Sequence, residues 1–188
     1  WTSAGIQNPQ GKWLPIQEKL KTIGVQFDVP DFDKNKETKY SLWRNHLDTL
    51  DVASYDVIMA TSFGCPVIMQ YLCEKNIKLK RLILVAPSGL KGNEYLEKVI
   101  PEMTENVEKL RWLVEEIIIP HSEDDDSTSA RFEYGKSLAK RIGAIFLPIN
   151  GVGHKFGGWS IDFLSSLIQH GAPLRRIPEV LDVWMDSA

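Results

Sequence analysis

Cysteine is scarce in this chain, whose 188 residues hold only Cys65 and Cys73. Two thiols cannot build a disulfide framework or a four-ligand zinc site, and an eight-residue spacing on one expected helix keeps them from pairing with each other. Such usage fits a reducing compartment, so the expected location is intracellular, cytoplasm or an organelle matrix. Long apolar runs are missing too. Runs such as residues 117–120 and 145–149 fall far short of the roughly 20 residues a membrane span needs, and a soluble chain is expected. Positive charge is not in excess, with 22 Lys and Arg against 25 Asp and Glu, a net charge of -3 and a pI near 5.8. Unspecific nucleic-acid binding draws its affinity from phosphates neutralised by Lys and Arg, so nucleic acid is excluded as the expected partner. Repeats and low-complexity tracts are absent as well, and these letters, which open at Trp1 without an initiator Met, show no signal peptide and do not decide targeting.

What is present is the composition of an ordinary folded protein: 43% hydrophobic, 25% charged and 10% aromatic residues. The length suits one domain, expected over residues 1–170, with a C-terminal tail at residues 171–188 whose structure the pattern does not assign. Trp13, Ile16, Leu20 and Ile23 recur at helical spacing, and Gly24 then releases the chain into an extended stretch at residues 25–29 that reads as a strand. A helix follows over residues 41–50, with Leu42, Trp43, Leu47 and Leu50 inward, and then a strand over residues 55–60. The alternation repeats: a helix carrying Val67, Ile68, Tyr71 and Leu72 on one face, a strand at 82–86, and a helical region at 93–115. Then come a strand at 117–119, a helix at 131–142, a strand at 144–149 and a helix at 160–170. Apolar strands separated by one-faced helices predict a three-layer α/β/α fold around a mostly parallel sheet. In such sheets chemistry belongs to the loops at the carboxyl ends of the strands.

Three of those loops carry reactive groups. Ala60-Thr61-Ser62-Phe63-Gly64 joins a strand to a helix as a small-x-Ser-x-small turn, the pattern of a nucleophile elbow, in which larger flanking residues would collide. The competing reading makes Ser62 a helix cap. His121-Ser122-Glu123-Asp124-Asp125-Asp126-Ser127 follows another strand and offers the acid that a Ser-His pair requires. It reads equally as an acidic cap for the next helix and, less well, as a calcium loop, since its spacing is not that of an EF-hand. The third loop runs from Asn150 to Gly158 and presents His154 among glycines. A dinucleotide reading fails there, because Gly151-x-Gly153 meets Phe156 where a third glycine is needed, at the last strand instead of the first. His46 and His170 fall within helices and read as structural, whereas His121 ends a strand and stays a lesser candidate.

Together the loops give Ser62, an aspartate near 125 and His154, in the Ser, Asp, His order of the α/β-hydrolase fold. With Trp43, residues 57–71 around Ser62, residues 81–88, Ser122-Glu123-Asp124-Asp125 and Gly153-His154, the chain resembles the small serine hydrolases of the α/β-hydrolase superfamily, the group that includes retinoblastoma-binding protein 9 and similar bacterial proteins. The resemblance implies Ser62 as nucleophile, His154 as general base, Asp125 as acid and the Phe63 backbone amide as an oxyanion donor, acting on a small acyl substrate with no cofactor. Ala60 and Thr61 stand where that group has Gly-His. Asp126-Ser127 replaces its Pro-aromatic pair, so the acid's register stays open among Asp124, Asp125 and Asp126.

The group's opening strand, whose following loop gives the second oxyanion amide, has no counterpart here, and Trp1-Thr2-Ser3-Ala4-Gly5 resembles only the loop's remnant. That strand is expected between residues 55–60 and 81–86, supplied by chain upstream of Trp1 or by a protein partner through β-addition. Direct pairing of the two strands would overturn this expectation and weaken the enzyme reading with it. The alternative function is a hydrolase fold retained as a binding or structural subunit. A flavodoxin-like or nucleotide-binding protein stands third, for want of a phosphate-cradling glycine loop after an early strand. The charged stretch at residues 91–115 reads either as a helical cover over the site, with Leu110 and Trp112 shaping an acyl pocket, or as a solvated helix remote from it.

Overall fold

In the computed structural model the described residues are 9–29, 39–89, 107–127, 132–154 and 159–171. The opening residues 1–5, the charged stretch at 91–106 and the tail beyond 171 lie outside them. Helix α1 is Pro9–Lys21 and α2 is Tyr40–Leu47, followed by strand β1 at Val57–Thr61 and helix α3 at Gly64–Lys75. Strand β2 is Leu79–Val85, and a short helical turn, α4, occupies Leu110–Leu113 directly before β3 at Val114–Ser122. Helix α5 (Phe132–Ile142), β4 (Ile145–Ile149) and α6 (Ile161–His170) complete the order.

The described strands pair in parallel, in the order β1-β2-β3-β4. Alternation along β2 sorts the core into two layers, since Leu82 and Leu84 join one buried cluster while Ile83 and Val85 join the other. The first cluster is closed by α2, α3, α4 and α5, through Trp43, Ile68, Leu72, Leu110 and Leu138 among others. The second is closed by α1 and α6, through Ile16, Leu20, Leu164, Leu167 and Ile168. The result is the three-layer α/β/α arrangement expected from the strand-helix alternation.

Local signals explain the helix ends. Asn76 takes a left-handed conformation (φ 55°) after α3, and its N–H returns to Leu72 O. Ser160 caps α6, accepting a hydrogen bond from the Phe163 amide. At the opposite end of the strands from the reactive loops, buried Arg81 on β2 meets Glu116 on β3 at 2.5 Å and donates from Nη1 to Ile168 O at 2.8 Å. The ion pair joins β2 to β3, and the bond to Ile168 O ties α6 to the sheet.

Two expectations are overturned. No strand lies between the nucleophile strand and the next: β1 pairs directly with β2 from Val57↔Arg81 to Thr61↔Val85. The cost of a gap of unpaired backbone is avoided by the two strands satisfying each other, so the proposed intervening strand has no place. Residues 25–29 are the second correction, for they pair with none of the described strands. Val25 N bonds back to Leu20 O at 3.0 Å and Phe27 O accepts from the Gln17 side chain at 2.8 Å, so α1, and not a ladder, holds this stretch. The other elements fall within a few residues of their expected bounds, save the helical region expected at 93–115: residues 93–106 lie outside the described residues, 107–113 are helical, and 114–115 open β3. Strand β3 is thereby nine residues long, because Val114 and Glu116 pair with Leu79 and Arg81 ahead of the apolar run.

Candidate active site

At the end of β1 the chain turns through Ser62 at φ 48°, a left-handed conformation that costs a residue with a side chain on the order of 1–3 kcal/mol. Backbone bonds hold it there. Ser62 N donates to Val85 O at 2.9 Å, and Ser62 O accepts from Cys65 N at 3.1 Å and Ser88 N at 3.2 Å. The turn is thereby pinned to the carboxyl end of β2. The residue directly before α3 is Phe63, whose ring is buried edge-on against Trp43 at 5.0 Å. No side chain caps α3, so Ser62 is not spent as its cap.

The Ser62 hydroxyl instead lies 2.9 Å from His154 Nε2 and 3.2 Å from Ser88 Oγ. His154 sits in the loop after β4, where Gly151 and Gly153 adopt positive φ. Ser122 and Asp124, at the end of β3 and just beyond, hold that loop. Asp124 Oδ1 accepts from the Ser122 hydroxyl and from the amides of Gly151 (3.2 Å) and Gly153 (3.3 Å), while Ser122 Oγ accepts from the amides of Val152 and Gly153. The Ser122 hydroxyl, foremost, keeps the Asp124 carboxyl below its ordinary range.

Asp125 meets the other face of the imidazole: His154 Nδ1 is 2.9 Å from Asp125 Oδ2. Its side chain is wholly buried, whereas His154 keeps 16% of its side-chain surface exposed. Burial alone would push the Asp125 carboxyl upward. Hydrogen bonds from His121 and His154 and from the Ser127 amide outweigh it, bringing the group down to about 2, so it is ionised at neutral pH. An ionised carboxylate only accepts, which places the His154 proton on Nδ1 and leaves Nε2 bare to accept from Ser62. Asp126 is exposed. Of the three aspartates left open by the sequence, Asp125 is the one joined to His154.

One group escaped the sequence reading, Ser88, and one lesser candidate, His121, takes a different place from a general base. Ser88 is 2% exposed and touches Ser62 through both its hydroxyl and its amide; its signal was a serine just past β2, visible only once β2 and β1 are known to be neighbours. His121, fully buried, places Nε2 3.2 Å from the same Asp125 oxygen that His154 meets. It bonds to the carboxylate, while the imidazole on the serine is that of His154.

Of the stretch proposed as a cover, the described end is fastened to the body. Glu108 pairs with Arg141 on α5 at 2.8 Å, Lys109 Nζ donates to Cys73 O, and Leu110 is fully buried. Trp112 is 79% exposed. Among the described residues no helix is long and apolar enough to cross a membrane.

A parallel sheet whose first strand ends in a strained serine turn, with a histidine and a carboxylate returning from two later loops, belongs to the α/β-hydrolase class. Solved structures agree on the fold: the ydeN gene product of Bacillus subtilis superposes with a TM-score of 0.70 at 22% identity, covering 83% of this chain and 88% of that one. Est1E from Butyrivibrio proteoclasticus (0.62, 16% identity, 89% and 82%) and the serine hydrolase CCSP0084 from Cycloclasticus zankles (0.58, 14% identity, 86% and 83%) are similar too. No curated protein sequence matches. The family comparison goes further than fold, because the pattern described as serine hydrolase matches residues 10–157. The chain belongs to the serine hydrolase family and is a hydrolytic enzyme acting on a small molecule.

Proposed function

We propose that this hydrolase cleaves a small ester, thioester or amide through an acyl-enzyme formed on Ser62. The observation that carries the reading is the relay of two 2.9 Å contacts, Ser62 Oγ to His154 Nε2 and His154 Nδ1 to Asp125 Oδ2. In the first half-reaction Ser62 Oγ attacks the acyl carbon as His154 Nε2 takes its proton. The imidazolium formed is stabilised by Asp125, and it returns the proton to the departing alcohol, thiol or amine. Water then attacks the acyl-enzyme, giving its proton to His154, and Ser62 recovers it as the acid leaves. Ser88 positions the nucleophile, since a Ser62 oxygen that donates to His154 retains lone pairs for the Ser88 hydroxyl.

The developing oxyanion lies at the amino end of α3, where the Phe63 amide is the donor we assign. Direct pairing of β1 with β2 excludes a second donor from a strand between them. Hydrolysis of p-nitrophenyl acetate, butyrate and caprylate, beside an acyl thioester and an anilide, tests the proposal. Wild-type protein should hydrolyse at least one series, and Ser62→Ala and His154→Ala should each lose roughly 10³-fold or more in kcat/KM. A Ser62→Ala protein with wild-type rates would remove Ser62 from the mechanism. Wild-type protein inert toward every series would favour a hydrolase fold retained as a binding subunit.

A further inference from the structure

The acid of a Ser-His-Asp arrangement must be held still and ionised, and Asp125 is held by more than its partner His154. Its Oδ1 accepts from Ser127 N at 2.9 Å, and its Oδ2 faces two imidazoles, His154 Nδ1 at 2.9 Å and His121 Nε2 at 3.2 Å. The second imidazole is fully buried at the end of β3. Its seat is shaped around it: Phe132 of α5 meets the ring edge-on at 5.8 Å, Phe146 of β4 lies at 6.5 Å, and α5 passes so close that a Cβ on Gly135 would come within 2.2 Å of His121 Nδ1. A histidine fitted this tightly has little rotational freedom. The titratable groups described against it are Asp125 and, across that carboxylate, His154; α5 and β4 turn Phe132, Gly135 and Phe146 toward the ring.

We infer that His121 is a positioning residue for the reaction: it donates Nε2–H to Asp125 Oδ2, fixing the carboxylate on His154 and sharing its negative charge. This rests on the Ser62-His154-Asp125 reading above. The donated bond has two consequences. It holds Oδ2 in line with His154 Nδ1, so that the imidazole presents Nε2 to Ser62 in every turnover. It also shares the carboxylate's negative charge, so that less of it faces the His154 ring than in a carboxylate bonded by His154 alone.

The test compares His121→Phe, which keeps an aromatic ring but no donor, with His121→Gln, which keeps an N–H. The readout is the rate of fluorophosphonate labelling of Ser62 from pH 5 to 9, with Ser62→Ala and His154→Ala as controls. His121→Phe should label at least about tenfold more slowly, equal to about 1.4 kcal/mol of barrier, with its acid limb displaced to higher pH. His121→Gln should keep the limb in place and most of the rate. A His121→Phe protein that labels at the wild-type rate with an unmoved limb overturns the inference, as does equal loss in both variants with no movement of either limb. Ring ¹⁵N shifts of wild-type His121 give a reading independent of any variant's folding: a proton on Nε2 is expected, and a bare Nε2 overturns the assignment. Failure of the underlying triad looks different, because then His154→Ala labels as wild type does or Ser62 is not labelled at all.

Discussion

Replacing Asp125 by Asn keeps the shape of the side chain and removes its charge, and the outcome can be worked from its surroundings. The buried carboxyl is drawn from its ordinary 3.8 to about 2 because hydrogen bonds from His121, His154 and Ser127 outweigh the cost of burial. A fall of that size corresponds to about 2 kcal/mol of folding stability. The folded value lies below the unfolded one, so this stability is fully present above about pH 4 and is lost as pH falls through about 2. Asn has no such proton to gain. Urea unfolding of both proteins at a series of pH values should therefore show wild type the more stable at neutral pH, with the gap narrowing by about 2 kcal/mol between about pH 4 and pH 2. Ester hydrolysis by Asp125→Asn at neutral pH should fall on the order of 10⁴-fold, because the amide favours the wrong imidazole tautomer. A gap that stays constant from pH 7 to pH 2 would refute the picture of a buried carboxylate ionised by two imidazoles.

Gly135→Ala drives a methyl into His121 Nδ1 from the backbone of α5, and should cost about 1–3 kcal/mol in urea unfolding and slow Ser62 labelling together. Arg81→Met leaves the Glu116 carboxylate buried without its guanidinium, an expected loss of about 3–5 kcal/mol, much of it recovered when Glu116→Leu is added. Two residues of α4 should behave differently: Leu110→Ala, fully buried, should cost about 2–5 kcal/mol, and Trp112→Ala, mostly exposed, within about 0.5 kcal/mol by thermal melting.

The layer architecture was legible because it depends on period and alternation, which the chain states locally. Leu82 and Leu84 against Ile83 and Val85, or Val67, Ile68, Tyr71 and Leu72 on one helix, need no tertiary knowledge to be read. The reactive loops were legible for a related reason: each directly follows a strand, and a parallel sheet gathers those ends on one edge. Neighbour relations between strands were not. Nothing in residues 55–60 or 81–86 tells which strand each will pair with, so a strand was wrongly placed between them. The stretch at 25–29 has strand-forming residues, yet a strand exists only by pairing, and α1 supplied other partners for its backbone. The choice among Asp124, Asp125 and Asp126 rested on resemblance alone, because adjacent carboxylates differ only in where the turn aims them: one to the loop amides, one to His154, one to solvent. Ser88 acquires meaning only through its contact with Ser62 across neighbouring strands, and His121 only through the turn that brings Asp125 back to it.

The central claim is that Ser62 is an activated nucleophile, and one measurement addresses it without knowledge of the natural substrate. Wild-type protein is treated with a fluorophosphonate at neutral pH, digested, and the modified peptide located by mass spectrometry. The account predicts stoichiometric modification of one residue, Ser62, suppressed in His154→Ala. Modification of another serine, or a wild-type protein left unmodified while a known serine hydrolase in the same tube is consumed, would contradict it.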